Sequence, residues 1–218
     1  MGAYLRNMTD ASITAEKLLQ VNAVRLNPDK PFTWASGWKS PIYCDNRKIL
    51  SHPFVRDYFK SELCNVVFEN FSKAEVIAGV ATAGVPWGMM IADQLKLPFI
   101  YVRPSPKDHG LGNQVEGEII ANQRVVVVED LISTGKSSLE VINILTDNNL
   151  QVIGAVSIFN YRFTSASEAF SAAGVELYSL TDYPALIELA AINGIVKPDQ
   201  HEILLKWRED PANWKGVG

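Results

Sequence analysis

Residues 125–138 read VVVVEDLISTGKSS, from Val125 to Ser138. Four consecutive valines cannot alternate polar with apolar, so a strand over 124–128 is expected at the centre of a sheet, buried on both faces. Glu129 and Asp130 then stand where that strand emerges, and 135–149 reads as a helix. In open α/β sheets a ligand sits beyond the carboxyl ends of central strands, where loops feed into helix N-termini. Residues 129–138 occupy that place.

Outward from this stretch, helical and extended patterns alternate. Pro53 opens a run in which Val55, Phe59, Leu63, Val66 and Val67 share one helical face, ending near Phe71. Residues 75–80 read as a strand, 85–97 as a helix, 98–102 as a strand, 152–159 as a strand, 165–173 as a helix, 175–180 as a strand and 184–193 as a helix. This order predicts an α/β fold with a mostly parallel central sheet and helices on both faces. Residues 1–50 fit the sheet poorly and are expected to form a small N-terminal hood or helix element beside an α/β core over 51–218, the whole making a single domain.

The 218 residues are 47% hydrophobic and 20% charged, enough apolar material for one core without disulfides or a structural metal. Twenty basic residues against twenty-four acidic ones give a net charge of −4, so no global positive field exists to hold nucleic acid or an anionic membrane. No window approaches the ~20 apolar residues of a membrane span, and a cytoplasmic location is expected. Cys44 and Cys64 match no metal-ligand spacing and suit a reducing compartment.

The chemistry concentrates after the valines. Backbone N–H groups at a helix start, with the short hydroxyls of Ser133, Thr134, Ser137 and Ser138 and a glycine at 135, make a cradle for a phosphate dianion. The adjacent carboxylates Glu129 and Asp130 can accept hydrogen bonds from a vicinal diol such as a ribose. The plainer alternative is that Ser133 or Thr134 caps the helix and that the carboxylates are solvated strand-end charges. A Walker A loop is excluded, because its earlier glycine would fall at Asp130. Small residues from Gly79 to Gly84 suit backbone approach to a second phosphate group.

Residues 103–117 hold three glycines, two prolines and the cations Arg103, Lys107 and His109, with few apolar anchors. A loop of this length in a small domain reads as a lid. Its cations suit a leaving group whose negative charge grows as a bond breaks.

Three segments carry a family resemblance. VVVVEDLISTG resembles the phosphoribosyl-diphosphate signature of the type I phosphoribosyltransferases. FTWASGWKSPIYCDNR (32–47) and VRPSPKDHGLGNQVEG (102–117) resemble the N-terminal segment and mobile catalytic loop of the orotate phosphoribosyltransferases, in their bacterial form. The resemblance spans nearly the whole chain and implies transfer of the 5-phosphoribosyl group of phosphoribosyl diphosphate to N1 of orotate. Mg2+ is implied as a cofactor, bound mainly through substrate oxygens with no protein ligand assigned.

Carried over residue by residue, the resemblance implies Lys107, His109 and Asp130 as catalytic. It implies phosphoribosyl diphosphate contacts from Arg103, Lys107, His109, Glu129, Asp130, Leu131, Ile132, Ser133, Thr134, Gly135, Lys136 and Ser137. Orotate contacts fall to Ser133 and to Arg162, with Tyr161 competing by a one-residue register. A homodimer is implied in which loop 103–117 serves the neighbour's site, with no nucleic-acid or membrane partner. The chain departs from many relatives where they carry lysine, at Ala35, at Ala83 and at Pro104 or Ser105, with Lys39 and Lys48 as partial substitutes. A phosphoribosyltransferase for another base and a non-catalytic phosphoribosyl-diphosphate sensor are the alternatives.

Overall fold

The valine run lies in the middle of the sheet. The computed structural model describes residues 3–5, 8–34, 36–105 and 114–216. In chain order the elements are β1 (Ala3–Leu5), α1 (Met8–Gln20), β2 (Val24–Leu26), β3 (Phe32–Thr33), β4 (Lys39–Ser40) and β5 (Ile42–Cys44). A 3-10 turn over Asn46–Ser51 leads into α2 (Pro53–Asn70), β6 (Val76–Val80), α3 (Gly84–Leu95), β7 (Phe99–Val102) and β8 (Val115–Glu116). Then come β9 (Arg124–Ile132), α4 (Lys136–Asp147), β10 (Gln151–Asn160), α5 (Thr164–Ala172), β11 (Leu177–Asp182), α6 (Tyr183–Ile192) and α7 (Pro198–Glu209).

The main sheet has the order β1-β11-β10-β9-β6-β7-β8, parallel except for the β7–β8 pair. Val126 and Val128 point to one face, into a core with Phe59 and Leu63 of α2, Trp87 and Ile91 of α3 and Leu186 of α6. Val125 and Val127 point to the other, against Val141 and Leu145 of α4 and Phe170 of α5. All four are fully buried, each contributing about 1.5 to 3 kcal/mol relative to exposure.

Chain direction across the sheet reverses between β6 and β9. From β6 the chain steps outward to β7 and β8; from β9 it steps the other way to β10 and β11. The crevice beyond the carboxyl ends of β6 and β9 is therefore the topological switch point, where ligands of such sheets bind.

Three features differ from the sequence expectation. The β9 strand does not end at Val128 but runs to Ile132, because β10 continues to pair with it as far as Asn160↔Ile132. Main-chain pairing needs no apolar side chain, so the two carboxylates do not stop it. Residues 3–5 are not part of a separate hood: β1 forms the sheet edge, parallel to β11, with Tyr4 stacked on Tyr178 at 5.1 Å between ring centroids. The rest of the N-terminal segment forms α1 and two small antiparallel pairs, β2–β5 and, between them in the chain, β3–β4. Finally, α7 lies beyond the last element expected; its Leu204 and Trp207 are fully buried three residues apart, on one helical face.

Candidate active site

The ladder between β6 and β9 stops at Gly79↔Val128, whereas β10 runs on beside Glu129–Ile132. One side of the acidic pair thus opens onto the crevice. Glu129 is buried at 8% exposure, and its Oε1 accepts the Asp130 N–H at 3.0 Å. Burial, and then the charge of Asp130, pushes the Glu129 carboxyl well above the usual range. Burial also raises Asp130, against the attraction of Arg47.

The N-terminal segment closes this corner. Asn46, with no exposed surface, donates from Nδ2 to the Asp130 carbonyl at 2.7 Å and accepts from Cys44 Sγ at 3.3 Å. Beside it Arg47 Nε donates to Asp45 Oδ1 at 2.6 Å, and that hydrogen bond holds the Asp45 carboxyl below its ordinary range. Burial pushes the Cys44 thiol up, so it stays protonated near neutrality.

Gly135 occupies the cap position of α4 at φ +77°, a conformation that favours glycine, so neither Ser133 nor Thr134 is the capping residue. That removes the plainer reading of the two hydroxyls. Lys136 opens α4 with an exposed side chain 3.9 Å from Glu140 Oε1, while Ser138 is buried and bonds Glu129. Across the crevice α3 starts against β9: a Cβ on Gly84 would meet the Val128 carbonyl oxygen at 2.3 Å. This contact sets loop 81–83 next to the acidic pair. The Ala81–Thr82 peptide in it is cis.

Two cavities flank the crevice. One of about 390 Å³ lies among Val80, Ala81, Arg103, Pro104, Gln114 and Ser137. The other, about 450 Å³, is lined by Thr33, Trp34, Tyr43, Cys44, Leu131, Ser133 and Tyr161. Three of these seven residues are aromatic, and Trp34 is held by edge contacts from Tyr161 and Trp207 and by Nε1 donation to the Ile42 carbonyl at 3.2 Å. A flat heterocycle fits such a wall.

Of the expected site residues, Ser133 and Leu131 line the aromatic cavity, and Ser137 lines the other. Ile132 turns its side chain into the core, and its carbonyl accepts the Tyr161 N–H at 2.9 Å. Thr134 is exposed. Arg103 sits at the base of the loop, where β7 and β8 form its stem, its N–H bonded to the Gln114 carbonyl at 2.9 Å and its Nη1 3.6 Å from Glu116 Oε1. Lys107 and His109 lie outside the described residues, as does Ala35. Arg162 is paired with Asp182, while Tyr161 is the member of that doublet that lines the cavity. Lys39 donates to Oγ1 of Thr33, a residue that lines the second cavity, and Lys48 donates to the Asn22 carbonyl. Among the described residues no three His, Cys, Asp or Glu side chains gather to hold a metal ion. No helix of the described chain is long and apolar enough to cross a membrane.

Sequence reasoning did not find Trp34, Tyr43, Cys44 or Asn46 as site residues, although all four fall inside the 32–47 segment. The aromatic spacing there was the available signal; the partner of Asn46 is distant in sequence and left none.

Residues 61–170 match the phosphoribosyl transferase domain. The chain is 50% identical to the orotate phosphoribosyltransferase of Phocaeicola vulgatus, over 92% of this chain and 95% of that protein. It is 49% identical to the orotate phosphoribosyltransferase of Porphyromonas gingivalis, over 94% and 98%. The crystal structure of orotate phosphoribosyltransferase from Aeropyrum pernix superposes with a TM-score of 0.72 at 32% identity, covering 84% of this chain and 99% of that one. With the domain match over half its length and near-full-length relatives at this identity, the chain belongs to the orotate phosphoribosyltransferase family.

Proposed function

We propose that the protein transfers the 5-phosphoribosyl group of phosphoribosyl diphosphate to N1 of orotate, giving orotidine 5'-monophosphate and diphosphate in pyrimidine synthesis. The observation that carries this reading is one crevice in which an acidic pair, Glu129 buried and Asp130 half-buried, a helix start without a side-chain cap and a cavity with three aromatic residues meet. The acidic pair suits the ribose hydroxyls, the hydroxyl loop 133–138 suits the 5-phosphate, and the cavity beside Ser133 and Tyr161 suits a planar base. The names of the relatives select orotate among bases, and Arg162 is assigned to its carboxylate.

The N1–C1' bond forms as the bond from C1' to diphosphate breaks, and no protein nucleophile is needed. The chain aligns the two reactants and stabilises charge on the departing group. Arg103, Lys107 and His109 are assigned to that charge. Asp130 is assigned to the ribose and the positive charge that develops on it. Mg2+ is proposed beside the carboxylates Glu129 and Asp130, where it would be held chiefly by diphosphate and ribose oxygens and would neutralise the leaving group.

The proposed unit is a homodimer of single-domain chains whose loop 103–117 reaches the partner's acidic pair. The cytoplasm is the proposed compartment, in keeping with the two free cysteines. The test is turnover of orotate with phosphoribosyl diphosphate and Mg2+, run beside uracil, adenine and guanine and after chelation. Transfer to orotate that stops with chelator is expected. Transfer to another base alone reassigns the cavity, and DNA binding without turnover makes the protein a sensor.

A further inference from the structure

One rung of the sheet grips Arg162 from two sides. Asn160 and Asp182 are register partners at the carboxyl ends of β10 and β11, and both are buried, at 1% and 5% exposure. Asn160 Oδ1 accepts the backbone N–H of Arg162 at 2.8 Å. Asp182 Oδ2 accepts from Arg162 Nε at 2.9 Å. Between these two bonds Arg162 adopts φ +59°, in the left-handed region that side-chain-bearing residues seldom enter. Such a conformation persists where its surroundings over-determine it, and it concentrates at functional sites.

Asp182 also caps α6, its Oδ1 accepting the Ala185 N–H at 3.0 Å. Capping alone is met equally by Asn, Ser or Thr. The second oxygen, placed on a guanidinium beside a cavity-lining tyrosine, is what a cap does not require. A buried carboxylate that stays ionised needs a charged partner, and a guanidinium whose Nε edge is fixed keeps its plane fixed too. A fork already oriented loses less freedom on meeting a planar carboxylate than one that must be ordered on binding.

We propose that Asp182, supported by Asn160, is the positioning residue that sets the Arg162 guanidinium for the anionic substituent of the base. The inference rests on the reading of orotate as the base and deepens it: discrimination between an anionic and a neutral pyrimidine is built into the last rung of β10 and β11. Neither Asn160 nor Asp182 is assigned a substrate contact; both act through Arg162.

The test is a double-mutant cycle in the full-length enzyme, starting from wild type. Asp182→Asn keeps an acceptor for the α6 cap while removing the charge. It is expected to raise the orotate Michaelis constant about tenfold, the scale of one charge-assisted hydrogen bond, with that of phosphoribosyl diphosphate within twofold of wild type. In an Arg162→Ala background the same substitution is expected to add less than twofold, because its effect passes through the missing side chain. Asn160→Ala, which leaves the ion pair in place, carries the same expectation should Asp182→Asn fail to fold. An unchanged orotate constant, equal rises for both substrates, or full additivity with Arg162→Ala overturns the positioning role. A wild-type enzyme that ignores orotate but uses a neutral base overturns the base reading first, and is recognised before any variant is made.

Discussion

Asn46 donates its side-chain amide to the main-chain carbonyl of Asp130 at 2.7 Å, joining residues 84 apart in sequence. The bond ties the N-terminal segment to the acidic strand past the rung where β6 has left it. Asp130 is thereby held from its backbone while its carboxyl stays available to the crevice.

Removing that donor leaves a buried carbonyl unsatisfied, which costs roughly 1 to 3 kcal/mol. Asn46→Ala is expected to melt lower and to raise the Michaelis constant for phosphoribosyl diphosphate. Asn46→Asp is expected to be worse, since it puts an acceptor against a carbonyl next to Asp45 and Asp130. Thermal melting and initial-rate kinetics on the two variants check this; an Asn46→Asp enzyme equal to wild type removes the bond from the site's architecture.

At Gly84 the constraint is steric. A methyl group there collides with the Val128 carbonyl oxygen at 2.3 Å, and neither strand nor helix start can yield without moving loop 81–83. Overpacking of this kind costs about 1 to 3 kcal/mol. Gly84→Ala is expected to lower the melting temperature and to weaken phosphoribosyl diphosphate binding, read by titration calorimetry.

What the sequence makes legible follows from local pattern. Val125 to Val128 read as a central strand because two-sided burial leaves no polar position, and loop 133–138 reads as a cradle because its hydroxyls and glycine are contiguous. The aromatic cavity is harder: Trp34, Leu131 and Tyr161 come from three parts of the chain and meet only through the fold. The Asn160–Asp182 rung is silent for the same reason, since each residue alone reads as a strand-end polar group. The three-residue β1 is too short for any period to show.

Ser133 lines the aromatic cavity and belongs to the hydroxyl loop, so its two candidate contacts separate kinetically. Ser133→Ala is expected to raise the orotate Michaelis constant more than that of phosphoribosyl diphosphate. The reverse order places the hydroxyl in the phosphate cradle alone.

Sharing of sites across the proposed dimer is tested by mixing lesions. Lys107→Ala and Asp130→Asn homodimers should each lose a factor of about 10² to 10³, the usual effect of removing one transition-state donor or partner. If the loop acts in trans, their heterodimer holds one site with both lesions and one with neither, and activity returns toward half of wild type. A verified heterodimer no more active than its parents assigns the loop to its own subunit.

Glu129 sets the final expectation, because a site built for a substrate is poorly built for its own charge. Its carboxyl is raised in the folded chain by burial and by Asp130, while in the unfolded chain it titrates near the ordinary value of about 4.3. Between those two values the folded state binds the extra proton, so stability falls as pH rises through that window and stays reduced above it. Below the window the neutral acid carries no penalty. Glu129→Gln keeps an oxygen that can accept the Asp130 N–H and the Ser138 hydroxyl but never ionises. In the absence of substrate it is expected to melt above wild type at pH 7.5, with the gap closing toward pH 4. Its affinity for phosphoribosyl diphosphate is expected to fall, because a carboxylate partner of the ribose hydroxyls is gone. Melts at the two pH values beside calorimetric titration separate these effects. A gap that is constant with pH means the carboxyl does not titrate between the states, and a stabilised variant with unchanged substrate affinity removes Glu129 from the ribose.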